Sequence, residues 1–280
     1  MGQPDTAANE PVRQVQKSAA ALQGRLKTLA TVRAGSANAV GDLEKGIDAI
    51  GDPDTFVAAL RETLEQARVL VKEGRAARSS ALQSAVAGFV KEALPVHGGR
   101  ETSSGWRIGP LALEQRAPEG TIRISYNQEP MTPWTPAATP ADVTKLYDAA
   151  LAELAKATVP ESDLGAAMVR AYDHLHATGA TGQRIRLESL LEEMRIALVR
   201  DAIQRRKSKD AQRYVGLQRW ALLHNFDRYR AAEAAKPSLR RLMVETGTQA
   251  ETEKFGVVVG GLNPDRDYSR LCYVRVVAGA

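Results

Sequence analysis

A hydrophobic heptad repeat in the first fifty residues constrains the fold of this chain more than any other feature. Its positions follow one another at steps of three and four residues: Val12, Val15, Ala19, Leu22, Leu26, Leu29, Arg33, Ser36, Val40, Leu43, Ile47 and Ile50. Ten of these twelve are apolar, and an apolar residue every 3.5 positions is typical of a coiled-coil seam. The polar positions Arg33 and Ser36, with Gly35 between them, predict a kink or a short break.

A second apolar helix follows the turn at residues 51–54, where glycine suits a helix end and proline suits a helix start. Its apolar positions are Val57, Leu60, Leu64, Ala67, Val71, Leu82, Val86, Phe89 and Ala93. The eleven-residue step from Val71 to Leu82 predicts a stutter near Gly74, and Pro95 predicts the end of the helix. Two helices of about 40 residues joined by a tight turn predict an antiparallel helical hairpin. We therefore expect a coiled-coil arm over residues 11–95, behind a disordered tail at residues 1–10.

Strand patterns begin after the arm. Residues 121–126 alternate apolar and polar side chains, and residues 106–116 form a similar run before the Pro–Glu–Gly turn. These two runs predict a β-hairpin within residues 96–127. The stretch that contains Pro130, Pro133 and Pro136 predicts an extended linker at residues 128–139.

Residues 140–280 are predicted to form a helical domain that ends in a small antiparallel sheet. Helical patterns run from Pro140 towards residue 235, and residues 239–245, 254–262 and 271–277 are rich in aliphatic and β-branched side chains. The chain is therefore predicted to be mainly α, in the α+β class. Helices followed by strands are also compatible with a winged-helix-like unit, in which a recognition helix enters a DNA groove.

Composition limits the function classes. The single cysteine, Cys272, excludes a disulfide within the chain. No apolar run reaches the about 18 residues that predict a transmembrane helix, and the polar N-terminus lacks the features of a signal peptide. We therefore expect a cytoplasmic protein without a membrane partner, and the frequent alanine and arginine favour a bacterial source.

Positive charge is concentrated around residue 200. Residues 184–241 contain 15 Lys and Arg against 7 Asp and Glu, although the net charge of the whole chain is only +5. Such cations neutralise phosphates, and the aromatic residues interleaved with them, Tyr214, Trp220 and Tyr229, are of the kind that stacks on bases. The simpler alternative is a solvated basic face or a surface for an acidic protein. The residues predicted to bind nucleic acid are Arg200, Arg205, Arg206, Lys207, Lys209 and Arg213.

No pattern in the sequence predicts a catalytic, metal or cofactor site. His174 and His176 are two positions apart, so they point in different directions from a helix and do not form a zinc-binding pair. The chain has neither a phosphate-binding glycine loop nor a nucleophile elbow. The nearest approach to the acidic pair and lysine of a metal-dependent nuclease consists of Glu251, Glu253 and Lys254, and two further carboxylates, Asp265 and Asp267, lie in the turn before the last strand.

The sequence thus favours a non-enzymatic binding or adaptor component, of the kind found in a bacterial DNA-handling or defence machine. The arm is expected to bind a protein partner or a second copy of the chain in a homo-oligomer, and the basic helices are expected to contact DNA. Two alternatives stay open. One is a pure protein–protein scaffold, and the other is a metal-dependent nuclease whose carboxylates converge only in the fold.

Overall fold

The computed structural model describes residues 10–30, 39–178, 184–235 and 240–278. Most of these residues are helical and the strands form small antiparallel sheets, so the predicted α+β class is confirmed. Within the described ranges, no helix is both long and apolar enough to cross a bilayer. The chain divides into two compact units, residues 1–79 and 80–280.

The helices are α1 (Glu10–Ala30), α2 (Ala39–Ile50), α3 (Pro53–His97), α4 (Pro140–Ala157), α5 (Glu161–Ala177), α6 (Leu187–Gln204), α7 (Ser208–Val215), α8 (Arg219–Ala235) and α9 (Gln249–Phe255). The strands are β1 (Gly99–Thr102), β2 (Gly105–Ile108), β3 (Leu111–Arg116), β4 (Thr121–Tyr126), β5 (Glu129–Pro130), β6 (Thr135–Pro136), β7 (Ile185–Arg186), β8 (Arg240–Glu245), β9 (Val257–Val259), β10 (Ser269–Leu271) and β11 (Tyr273–Ala278).

The N-terminal unit differs from a hairpin of two matched arms. Over the residues of the predicted first arm, the structure has two helices, α1 and α2, and these two helices pack against each other. The break predicted at Arg33 to Ser36 lies outside the described residues. Helix α3 continues without interruption past Gly74 and through Pro95. It ends where the amide of Gly98, a residue with φ 68°, donates to the Leu94 carbonyl at 2.9 Å, because glycine accepts this left-handed conformation readily.

The β-hairpin predicted in residues 96–127 is part of a larger sheet. Strands β3 and β4 pair antiparallel with Leu113 opposite Ile124, and the sheet continues in the order β1-β2-β3-β4-β5, with β6 also pairing with β4. The proline-rich stretch therefore contains two short strands, which belong to this sheet, and it lies inside the unit of residues 80–280. Such short segments tolerate proline because few ladder hydrogen bonds require its missing N–H.

Buried side chains of the second unit form one hydrophobic core that includes the sheet and the following helices. The first helix after the sheet, α4, begins with a capping box in which the Thr139 side chain accepts from the Asp142 amide. Its Tyr147 hydroxyl donates to the Ile108 carbonyl at 2.8 Å and so ties α4 to β2. Towards the C-terminus, β11 pairs antiparallel with both β7 and β8, which gives the order β7-β11-β8, while β9 and β10 form a separate hairpin.

Candidate functional site

The six basic residues predicted to bind nucleic acid lie at the end of α6, on the turn after it and on α7. Half of them are engaged by carboxylates of the protein itself. These ion pairs join Arg200 to Glu193 (3.6 Å), Arg205 to Asp163 (2.5 Å) and Arg213 to Asp210 (4.0 Å). The positive charge offered to a phosphate is therefore smaller than the sequence count suggests.

The other three predicted residues, Arg206, Lys207 and Lys209, form what we call the basic turn. All three are exposed, and none has an ion pair with a described residue. The turn is tight, because Arg206 has φ 57° and the Lys207 amide donates to the Ala202 carbonyl at 2.8 Å. This backbone geometry places three exposed cations between the end of α6 and the first turn of α7.

The aromatic residues that could have stacked on bases are buried. Tyr214, Trp220 and Tyr229 are each less than a tenth exposed and belong to the hydrophobic core. Helix α8, which precedes the C-terminal strands, is buried nearly all round from Trp220 to Tyr229. Between these residues it therefore presents no polar face of the kind that a recognition helix inserts into a DNA groove, and the winged-helix-like unit stays a prediction.

The histidines do not converge on a metal site. His174 lies 3.8 Å from Glu193, while the His176 ring stacks on that of Tyr172. His224 is 6% exposed and its Nε2 lies 3.1 Å from the Thr158 hydroxyl. Burial and, to a smaller extent, the positive charge of Arg228 together lower the pKa of His224 to about 4. His224 is therefore a neutral core residue at pH 7.

Three of the four carboxylates of the nuclease alternative have separate local contacts. Glu251 accepts from the Thr248 amide at the start of α9 and from the Tyr273 hydroxyl, and these hydrogen bonds lower its pKa. Glu253 accepts from Gln249, and Asp267 pairs with Arg100. In the described part of the chain, no three His, Cys, Asp or Glu residues are grouped so that they could hold a metal ion.

The strongest candidate surface lies on α3 and consists of Val57, Leu60, Leu64, Ala67 and Val71, which we call the apolar seam. The four larger side chains are between 38% and 52% exposed. They repeat at steps of three, four and seven, which places them on one stripe of the helix. A parallel stripe is covered instead, since Phe56 and Thr63 are buried and Leu70 is half-buried. Helix α3 therefore has two neighbouring apolar stripes, only one of which is covered within the chain.

Sequence reasoning missed a buried polar cluster in the second unit. The Asp227 carboxylate accepts from the Tyr126 hydroxyl (3.0 Å), the Asn127 amide (2.8 Å) and the backbone amides of Gly260 (3.0 Å) and Gly261 (2.9 Å). Burial, followed by the charge of Asp227, raises the pKa of Tyr126. The cluster fixes the loop after β9 against β4 and α8. An aspartate inside an otherwise buried helix was the one sequence signal for it.

A buried cation, Arg107, anchors the same loop. Arg107 is 1% exposed and donates from Nη1 to the Arg266 carbonyl at 2.5 Å and from Nη2 to the Gly260 carbonyl. Its guanidinium lies 4.1 Å from the centre of the Tyr268 ring. Beside it is a polar pocket of about 370 Å³, in which Glu114 accepts from the Ser125 hydroxyl at 2.7 Å. The charged side chains that line the pocket are two arginines and three carboxylates, namely Arg100, Arg107, Glu101, Glu114 and Asp267.

Comparison of the chain with protein-family models, curated proteins and solved structures finds no match. The function is therefore argued from these surfaces alone.

Proposed function

We propose that this chain is a non-enzymatic binding component whose arm docks a helix of a protein partner along the apolar seam. The observation that supports the proposal is the exposure of Val57, Leu60, Leu64 and Val71 on one stripe of α3. Heptad spacing of exposed apolar residues is the pattern by which one helix receives the side chains of another. An adaptor role follows, and the cytoplasmic location favoured by the sequence belongs to the same proposal.

The size of the seam sets the expected affinity. Full burial of a Val or Leu side chain contributes about 1.5–3 kcal/mol. Because these side chains are already about half covered, a partner gains roughly 1 kcal/mol from each. Four such gains only partly offset the free energy that association costs. The seam alone therefore predicts weak, reversible docking, and tighter binding requires polar contacts at its edges.

The test is a titration of the full chain with a labelled amphipathic helical peptide, followed by fluorescence anisotropy. The peptide carries leucine and isoleucine on its seam and glutamine at every flanking position, so that only apolar contacts are probed. We expect binding to the unmodified chain and loss of binding in the double variant Leu64→Gln, Val71→Gln. Val69 is a matched control, because it is 51% exposed on α3 but lies off the seam, and Val69→Gln should bind normally. No binding by the unmodified chain, or equal loss in the control, contradicts the proposal.

Nucleic-acid contact through the basic turn is a second candidate function. It is supported first by the three exposed cations, which have no ion pairs to described residues. It is supported also by the sheet β7-β11-β8, which joins the strand before α6 to two strands after α8. The burial of α8 limits this candidate to phosphate contact without base reading. Such binding is insensitive to sequence and weakens steeply with salt.

Fluorescence anisotropy with labelled duplex and single-stranded DNA at ~50 and ~200 mM salt tests this second candidate. Three phosphate contacts predict a slope of about −2 to −3 for the logarithm of the affinity against the logarithm of the salt concentration. Arg206, Lys207 and Lys209 changed together to Ala should abolish binding. The matched control changes Arg61, Arg68 and Arg75 on α3 to Ala, which removes the same charge elsewhere. Equal losses in the two variants would mean that only overall charge matters.

A further inference from the structure

The two edges of the apolar seam differ in charge. One edge is the covered stripe that contains Phe56 and Thr63, and it is uncharged. The other edge is formed by Arg61, Arg68 and Arg75, which are all exposed. A spacing of seven residues keeps these three guanidinium groups in one row along the helix, directly beside the seam. We call them the arginine row.

The surface of the arm has a groove at this place, with a volume of about 450 Å³. Its lining combines apolar residues of the seam with cations, and it includes no carboxylate: Leu64, Ala67, Arg68, Val71, Lys72 and Arg75. One of these cations, Arg68, pairs with Glu65, in a contact where the Arg68 side chain is 74% exposed and that of Glu65 is 64% exposed. Such an exposed pair contributes little, so an incoming carboxylate can replace it at small cost.

We propose that the natural occupant of this groove is an acidic amphipathic helix of a partner protein, with Glu or Asp in register with the arginine row. This inference rests on the docking role proposed above and specifies the chemistry of the partner. Apolar side chains of that helix cover the seam, and its flanking carboxylates pair with Arg61, Arg68 and Arg75. Charges at the edges of a seam choose the partner and its orientation in paired helices.

A second copy of the chain is a poorer occupant. In an antiparallel pair of α3 helices, the arginine row of one copy faces the arginine row of the other, and like charges at this distance repel. In a parallel pair, the row faces the opposite edge of the partner seam, where Thr63, Leu70 and Ala77 carry no charge. Neither arrangement of α3 on α3 offers a carboxylate to the row.

The test uses the full chain and two further versions of the labelled peptide, one with glutamate and one with lysine at every flanking position. We expect the glutamate peptide to bind about tenfold more tightly than the lysine peptide at low salt, since three exposed ion pairs are gained. The difference should shrink as salt rises. Changing Arg61, Arg68 and Arg75 together to Glu should reverse the preference. The control variant, with Arg206, Lys207 and Lys209 changed to Glu, alters the net charge equally and should retain it.

The outcomes separate the two proposals. If the glutamine peptide binds but the glutamate and lysine peptides bind equally well, docking on the seam stands and the acidic partner is rejected. If the glutamine peptide fails to bind, the docking role itself is rejected. Sedimentation velocity tests whether a second copy of the chain occupies the groove. A dimer that forms with rising concentration and is lost in the Leu64→Gln, Val71→Gln variant would identify a second copy as the occupant and would overturn the inference.

Discussion

The two units of the chain differ in how far their large apolar side chains and their charged groups are buried. In the second unit most large apolar side chains are covered, although Ile203 is 62% exposed and Val215 is 60% exposed. Charged groups such as Asp227 and Arg107 are buried there among hydrogen-bond partners. In the first unit, large aliphatic side chains such as Leu64 and Val71 remain half exposed although covered residues lie beside them. The second unit therefore has an extensive buried core, whereas the first unit carries the apolar seam on which the docking proposal rests.

This contrast has a physical cause. A buried charge is tolerated only when its hydrogen bonds are satisfied, so the cluster around Asp227 has one arrangement of low free energy. An exposed apolar stripe costs little in an isolated helix, because each side chain is only partly in contact with water. The second unit is therefore expected to be sensitive to small substitutions, and the arm to be tolerant of them.

The largest effect is expected from Asp227→Ala. The substitution leaves the Tyr126 hydroxyl, the Asn127 amide and two backbone amides buried without their acceptor. We expect a loss of about 4 kcal/mol in the free energy of unfolding, typical of a broken buried network. Urea denaturation followed by tryptophan fluorescence measures this, because all three tryptophans lie in the second unit. Asp227→Asn keeps one acceptor oxygen and should lose less, and an equal loss would show that charge matters more than acceptor geometry.

The next effect is a dependence on pH that belongs to the second unit. The pKa of His224 is lowered to about 4 in the folded state, against about 6.5 in an unfolded chain. Between these values the unfolded state binds a proton that the folded state does not, so stability falls as the pH falls from about 6.5 to about 4. The loss attributable to this residue is about 3 kcal/mol.

Urea denaturation at pH 7 and pH 4.5 measures the change, and His224→Gln should reduce the difference between the two values. The described part of the arm contains no histidine, so its helical signal in circular dichroism should respond much less over this range. A pH dependence that His224→Gln leaves intact would place the titrating group elsewhere.

A pair of identical substitutions gives the third and smaller effect. A Cβ atom added at Gly261 would lie 2.6 Å from the Tyr126 ring and from Asn127 Oδ1, whereas one added at Gly74 on α3 would meet nothing within 4 Å. Gly261→Ala is therefore expected to destabilise the second unit by about 2 kcal/mol through overpacking. Gly74→Ala should stabilise α3 by about 0.5–1 kcal/mol, because alanine is the better helix former.

Thermal unfolding followed by far-ultraviolet circular dichroism compares both variants with the unmodified chain. Shifts of the same sign in the two variants would contradict the idea that one unit is closely packed at this glycine and the other open.

The sequence predicted the α+β class and most strand positions, because both depend on local patterns. The heptad steps of α3 and the alternation in β4 are periodic signals that neighbouring residues carry. The capping box at Thr139 is also local, because it joins residues three positions apart. Where a feature depends on residues a few positions apart, the prediction was adequate.

Features that depend on distant residues were not predicted. Asp227 meets Asn127 across 100 positions and Gly261 across 34, and Arg205 meets Asp163 across 42. No periodic pattern encodes such pairings. The basic cluster therefore looked more exposed in the sequence than it is, and the aromatic residues beside it turned out to belong to the core. For the apolar seam, the sequence predicted the heptad positions but not that these side chains are exposed.

The smallest effect, that of Leu64→Ala compared with Leu113→Ala, tests the contrast most directly. Leu113 in β3 is 1% exposed and Leu64 on α3 is 50% exposed. Leu113→Ala is expected to cost about 3 kcal/mol of unfolding free energy, because it leaves a cavity in the core. Leu64→Ala should change the stability of the arm by no more than about 0.5 kcal/mol, as surface substitutions do. The same substitution should measurably weaken the binding of the labelled peptide. Hydrogen exchange at the amides of α3 reports on the arm without interference from the tryptophans.

If Leu64→Ala instead costs as much as Leu113→Ala, and the cost depends on protein concentration, the seam is already covered in solution by another copy of the chain. A large cost that is independent of concentration would place the cover within the chain itself, and the difference between the two units would then disappear.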